Sequence, residues 1–292
     1  MSPRFELSAD SPLSGLWRLA RPTLRFWMET EVHVYAFSIA ANVLLSFFPF
    51  LIVMASLCRY VLHWRGAEAA IYLALSDYLP GNAAFLTNNV RAVLKPLEWA
   101  SMVLLLFTAN GVFEPLEVAL NRVWGVTKNR SFLRNQVVSL GLIFACGSLV
   151  LLSTVLTAWN QELWGKLFAS GTIVPAIAAR TGLKIAGASV TVLILVLVYW
   201  KLPNREIPLR LILPTAVAIG LALEGLKYVN LLTWPYLGAK LQREYGPFIN
   251  SVSIILWSFL ASMLVLAGAE WTARRARAGE CTPVAAADRV VH

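Results

Sequence analysis

The stretch 249–271, INSVSIILWSFLASMLVLAGAEW, decides the architecture. From Ile249 to Ala269 it runs 21 residues without a charged side chain. About 20 apolar residues at ~1.5 Å rise are what a helix needs to cross a hydrocarbon core of about 30 Å. Five further runs of the same kind precede it, near 35–58, 99–118, 137–159, 184–201 and 209–231. The expected fold is therefore all-α: a polytopic membrane protein with six transmembrane helices.

Composition agrees with this reading. The chain has 292 residues, of which 58% are hydrophobic and 14% charged, and its mean hydropathy is +0.65. Soluble domains carry roughly a quarter charged residues, so one soluble core does not account for the pattern. The formal charge of +9 raises the question of nucleic acid. The 25 Lys and Arg residues, however, are strung along the connecting segments. A nucleic-acid face needs them gathered on one surface; no nucleic-acid partner is expected.

Those cations also set an orientation. With the amino terminus inside, cytoplasmic segments hold 15 of the 25 Lys and Arg residues, leaving 10 outside although the outer loops are longer. The positive-inside rule then puts both termini in the cytoplasm of a bacterial inner membrane. The first long apolar run begins near Tyr35, after a charged stretch with no cleavage-site pattern, so it is read as an uncleaved anchor. The expected organisation is a cytoplasmic amino-terminal segment 1–34, a membrane domain 35–272 and a solvated cytoplasmic tail 273–292.

Within residues 13–30, Leu13, Leu16, Trp17, Ala20, Leu24 and Trp27 share one helical face, with Arg18, Arg21, Arg25 and Glu29 opposite. Aromatic and leucine side chains facing arginines mark a helix lying in the membrane interface. Pro22 should bend it. The loop between the first two spans contains AEAAIYLALSDYL and AAFLTNNVRAVL, two short amphipathic helices split by Pro80-Gly81.

Polar residues inside the spans need a reason, because lipid does not solvate them. On span two, Asn110, Glu114, Glu117 and Asn121 fall within about 60° of arc at ~100° per residue. On span one, Ser38, Asn42, Ser46 and Pro49 lie within about 80°. Span six adds Ser251, Ser258 and Ser262. Converging, these stripes would line a polar path for a head group or ion. Equally, serine and asparagine hold helices together by close approach and hydrogen bonding. Glu224 and Lys227 on span five, three residues apart, are close enough to pair and are expected near the outer interface as a gate. Pro49 and Pro214 fit either a broken transporter helix or plain packing.

Cys58, Cys146 and Cys281 fit no metal or disulfide spacing, and His33, His63 and His292 form no ligand pattern. No nucleotide-binding G-x-x-x-x-G-K-[ST] occurs. No nucleophile–base pair or metal cluster presents itself, so the chain is read as neither an enzyme nor a cofactor protein.

Three stretches, AFSIAANVLLSFFPFLIVMASL, LEVALNRVWGV and YGPFINSVSIILWSFLASMLVLAGAEW, together resemble the YihY/BrkB family of bacterial inner-membrane proteins. The matching positions are Ser46, Pro49, Asn121, Arg122, Trp124, Tyr245, Gly246, Trp257, Gly268 and Glu270. The resemblance implies a six-helix cytoplasmic-membrane protein of a kind often described as a serum-resistance or virulence factor. An older label in that family is a transfer-RNA-processing ribonuclease. The residues do not support that label: a metal-dependent nuclease needs carboxylates or histidines clustered in water, and the 16 acids here are scattered. The leading expectation is a flippase-like transporter of an envelope lipid or other amphiphile, with membrane lipids as partners. Its rival is a non-transporting scaffold that binds other envelope proteins or itself through small-residue faces such as Ser258 and Ser262, or Gly182, Ala186 and Gly187. An open cavity between spans one, two and six would favour transport.

Overall fold

The structure, a computed structural model, describes residues 21–56, 99–126, 134, 137–139, 141–150, 152 and 173–287. The two amphipathic helices expected in the first loop lie outside the described residues, as do residues 13–20 of the interfacial helix and most of 151–159. Every regular element among the described residues is helical. The long helices are α1 (Thr30–Ser56), α2 (Trp99–Val123), α3 (Val137–Val150), α4 (Ile173–Lys201), α5 (Leu209–Tyr245) and α6 (Ile249–Ala287). Each overlaps one expected span. Thr30–Phe47 and the continuous region Leu209–Ala278 are long and apolar enough to cross a membrane, while Val137–Val150 and Gly187–Lys201 are shorter apolar helices.

The register of contacts shows how the helices run. Arg122 on α2 pairs with Glu31 on α1, and Gly111 on α2 lies against Asn42. Eleven residues up α1 correspond to eleven residues down α2, so the two are antiparallel. Likewise Thr215 meets Thr272 and Ile219 meets Gly268, four residues each way, which makes α5 and α6 an antiparallel hairpin. Its tip is Tyr245-Gly246-Pro247. Gly246 closes α5 with φ of +50°, donating its N–H to the Gln242 carbonyl, and Pro247 enters the 3-10 turn Gly246–Phe248. A positive φ is open to glycine at little cost.

Helix α1 packs against α6 through Phe37, whose ring lies 4.3 Å from that of Phe259. Gly220 on α5 lets Val192 of α4 approach to within 2.6 Å of where a Cβ would sit. Residues 21–27 form a short helix ahead of α1 and rest on the bundle through Phe26 and Trp27. The Trp27 indole donates to the Met263 carbonyl at 3.0 Å. Consequently the start of α1, the ends of α2, α4 and α6 and the start of α5 gather at one end of the molecule. Small residues at the crossings are what a membrane bundle requires, because lipid supplies no hydrophobic drive between helices.

Two helices run on past the apolar stretches that mark them. Helix α5 continues fourteen residues beyond 231, to Tyr245. Hydropathy reports burial in lipid, not helicity, and Lys240, Gln242, Arg243 and Glu244 lower it without breaking the helix. The expected solvated tail from 273 is helical as far as Ala287, because alanine and arginine are strong helix formers.

Candidate functional site

The charged end is built around the termination of α2. In Leu120-Asn121-Arg122-Val123-Trp124-Gly125-Val126 the helix closes on Gly125, whose φ is +66°. The Val126 N–H donates to the Asn121 carbonyl at 2.8 Å and the Gly125 N–H to the Arg122 carbonyl at 3.0 Å. This paired closure is the Schellman motif. It explains why a glycine follows the Leu-Asn-Arg-x-Trp pattern. Two arginines supply donors for the remaining carbonyls: Arg277 Nη2 donates to Val123 at 3.0 Å and Arg205 Nη1 to Trp124 at 3.4 Å. Cations at a helix carboxyl terminus also oppose its negative dipole end. The Arg205 guanidinium sits 5.7 Å from the Trp124 ring centre.

Asn121 is 1% exposed and Glu117 3% exposed. Asn121 Nδ2 donates to Glu117 Oε1 at 3.5 Å, while Asn121 Oδ1 accepts from the Asn204 N–H at 2.7 Å. Glu114, on nearly the same face one to two turns earlier, is exposed. The segment 202–204 covers the helix at the level of Asn121 and not at Glu114, so the stripe on α2 does not share one environment. Asn110 lies on α2 with its side chain outside the described residues.

The stripes on α1 and α6 spend their hydrogen bonds locally. Asn42 Nδ2 donates to the Ser38 carbonyl at 2.9 Å and Ser46 Oγ to the Asn42 carbonyl at 2.8 Å. Ser262 Oγ donates to the Ser258 carbonyl at 2.7 Å. Such back-bonding to the preceding turn satisfies a hydroxyl in lipid without a partner helix. Pro49 is buried within α1.

The Gly-Ala-Glu of α6 has a packing and a polar role. A Cβ on Gly268 would lie 2.5 Å from Ile219 Cγ1 and 2.7 Å from Tyr199 Oη, so α4, α5 and α6 converge there. Tyr199 donates to the Val265 carbonyl at 2.7 Å. Glu270 accepts from Thr23 Oγ1 at 3.1 Å and pairs with Arg274 at 3.4 Å, and Arg274 donates to Thr23 at 2.9 Å. This triad fastens the amino-terminal helix to α6. On the same helix, the indole N–H of Trp257 is buried and has no hydrogen-bond partner among the described residues.

Between the amino-terminal helix, α1, α2 and α6 lies a cavity of about 300 Å³. Arg25, Arg122, Arg277, Glu29, Glu31 and Glu270 line it, with apolar walls from Phe26, Val32, Tyr35, Ala119, Val123 and Leu266. Of the positions singled out in the sequence, Arg122 and Glu270 belong to this lining, whereas the stripe residues do not. Arg25 and Glu29 were visible only as the polar face of an interfacial helix. Arg277 looked like part of a tail. No local pattern could place them around one space, since the cavity joins residues 22–35 to the distant ends of α2 and α6.

Glu224 and Lys227 form an ion pair at 2.7 Å, with side chains 20% and 24% exposed. Lys227 is the central residue of α5, which reaches Tyr245. The flanking charges, Arg210 and Lys240, stand thirty residues apart, about 45 Å of helix. Among the described residues no group of three or more His, Cys, Asp or Glu could hold a metal ion.

Long apolar helices, small residues at their crossings and back-bonded hydroxyls fit an integral membrane protein of the helical-bundle class. The chain belongs to the virulence factor BrkB family, whose sequence profile matches residues 23–289. It is similar to a UPF0761 membrane protein of Chromobacterium violaceum, 29% identical over 59% of this chain and 40% of the relative. A ribonuclease-like protein, YfkH, of Bacillus subtilis is 27% identical over 78% of this chain and 84% of that one. A UPF0761 membrane protein of Chromohalobacter salexigens is 27% identical over 83% of this chain and 60% of the relative. The chain thus spans less than two thirds of the two UPF0761 proteins. No solved structure matches it.

Proposed function

We propose that the chain is a flippase-like transporter of an amphiphile in a bacterial cytoplasmic membrane, crossing it six times with both termini inside. The alternating helix directions support that topology: the ends gathered with Arg122, Arg205, Arg274 and Arg277 are those that six crossings would put on one side. The observation that carries the transport reading is the cavity between the amino-terminal helix, α1, α2 and α6. It combines opposite charges with an apolar wall, the pairing an amphiphile's polar and apolar halves need. A binding space of this kind has no use in a scaffold whose contacts are flat small-residue faces.

The test is movement of a fluorescent short-chain phospholipid across proteoliposome bilayers. The protein should accelerate it over protein-free vesicles. Replacing Glu114 and Glu117 by glutamine then asks whether the α2 stripe continues the route from the cavity: slowed movement in a folded protein places it on the route, and unchanged movement removes it. If the wild-type protein accelerates nothing, and a stoichiometric envelope protein is recovered with it from mild detergent, the scaffold reading replaces transport.

A further inference from the structure

We infer that the cavity at the charged end is a headgroup subsite for a phospholipid bearing both a phosphate and an ammonium group, an inference that rests on the amphiphile reading above. Its charges are balanced, three arginines against three glutamates, and most are already engaged. Arg122 is paired with Glu31, Arg277 caps the Val123 carbonyl, and Glu270 is held by Thr23 and Arg274. Arg25 and Glu29 remain. Both are exposed, and neither side chain has a hydrogen-bond or ion-pair partner among the described residues. One uncommitted cation and one uncommitted anion on the same cavity wall match a ligand that carries both charges.

A purely anionic headgroup would satisfy Arg25 and leave Glu29 facing a like charge, which is repulsive. A zwitterion satisfies both. A guanidinium suits phosphate oxygens through its forked donors, and a carboxylate accepts from an ammonium. The volume, about 300 Å³, lies at the small end of ligand sites. It suits a headgroup whose acyl chains stay outside.

Native mass spectrometry of the full-length protein, given phosphatidylethanolamine and phosphatidylglycerol of identical acyl chains, tests this. The wild-type protein should retain phosphatidylethanolamine about tenfold better, the factor one charge-assisted hydrogen bond is worth. Glu29→Gln should erase the preference while keeping phosphatidylglycerol bound. Arg25→Gln should weaken both lipids, and Arg25→Lys should restore most of the loss. Equal retention of the two lipids by the wild-type protein, or a preference unchanged in Glu29→Gln and Arg25→Gln, overturns the assignment. So does soluble glycerophosphoethanolamine binding as tightly as the lipid, which would make a water-soluble phosphoamine the ligand. Both residues are exposed, so folding is not at stake. Because binding is read without transport, selective retention by a protein that moves no lipid leaves the subsite standing and removes only the transport reading; lipid movement without selective retention does the reverse.

Discussion

The Asn204 N–H donates to the side-chain oxygen of Asn121 at 2.7 Å, joining two segments 83 residues apart. Asn121 is buried at the end of α2 and Asn204 lies in the link between α4 and α5, so this one side chain fixes where two helical units meet. Asn121→Ala leaves a backbone donor without its acceptor and deprives Glu117 of a donor. The expected cost is about 1–3 kcal/mol. Arg122→Gln, next in sequence, removes an ion pair whose side chains are 59% and 53% exposed, worth less than about 1 kcal/mol. Unfolding followed by helical circular dichroism in detergent should show a clearly lowered midpoint for the first and a nearly unchanged one for the second.

Two glycines on the α5–α6 hairpin should respond in opposite ways to alanine. At Gly268 the added methyl meets Ile219 and Tyr199 at 2.5 and 2.7 Å, and overpacking of this kind costs about 1–3 kcal/mol. At Gly225 nothing lies within 4 Å of the added carbon, and the gain in helix propensity is up to about 1 kcal/mol. The same unfolding measurement should place Gly268→Ala below the wild-type protein and Gly225→Ala at or above it.

The ion pair in the middle of α5 makes a sharper prediction. The side chains keep 20% and 24% of their surface exposed, so removing one partner should cost less than the roughly 3–5 kcal/mol of a fully buried pair, whereas replacing both with apolar groups is often neutral. Lys227→Met should therefore be more damaging than the double replacement Glu224→Leu with Lys227→Met. Yields of monodisperse protein after detergent extraction should rank wild type and double variant together, above the single variant. If the single variant matches the wild-type protein, the pair has water on hand and does not sit in the membrane interior.

The sequence makes the helices legible and their partners obscure. The apolar runs locate α1 to α6; the closure of α2 on Gly125 and of α5 on Gly246 is seen only in the backbone. The extension of α5 to Tyr245 was hidden because a hydropathy pattern ends where lipid ends. Periodicity put Glu114 and Asn121 on one face, yet their burial differs, since burial depends on the segment 202–204 folding back from a distance. Thr215 and Thr272, 2.8 Å apart, are unremarkable in two apolar runs until the hairpin register brings them together. The cavity is the extreme case: helical spacing can show which residues share a face, but not that four faces enclose a space.

Occlusion of that space tests transport most directly. In a background with Cys58, Cys146 and Cys281 replaced by serine, a single cysteine at Tyr35, which lines the cavity, can be labelled with a bulky reversible thiol reagent and assayed in proteoliposomes with a fluorescent phosphatidylethanolamine. The account predicts that labelling abolishes protein-dependent lipid movement and that reduction of the adduct restores it. Equal rates before labelling, after labelling and after reduction would contradict it.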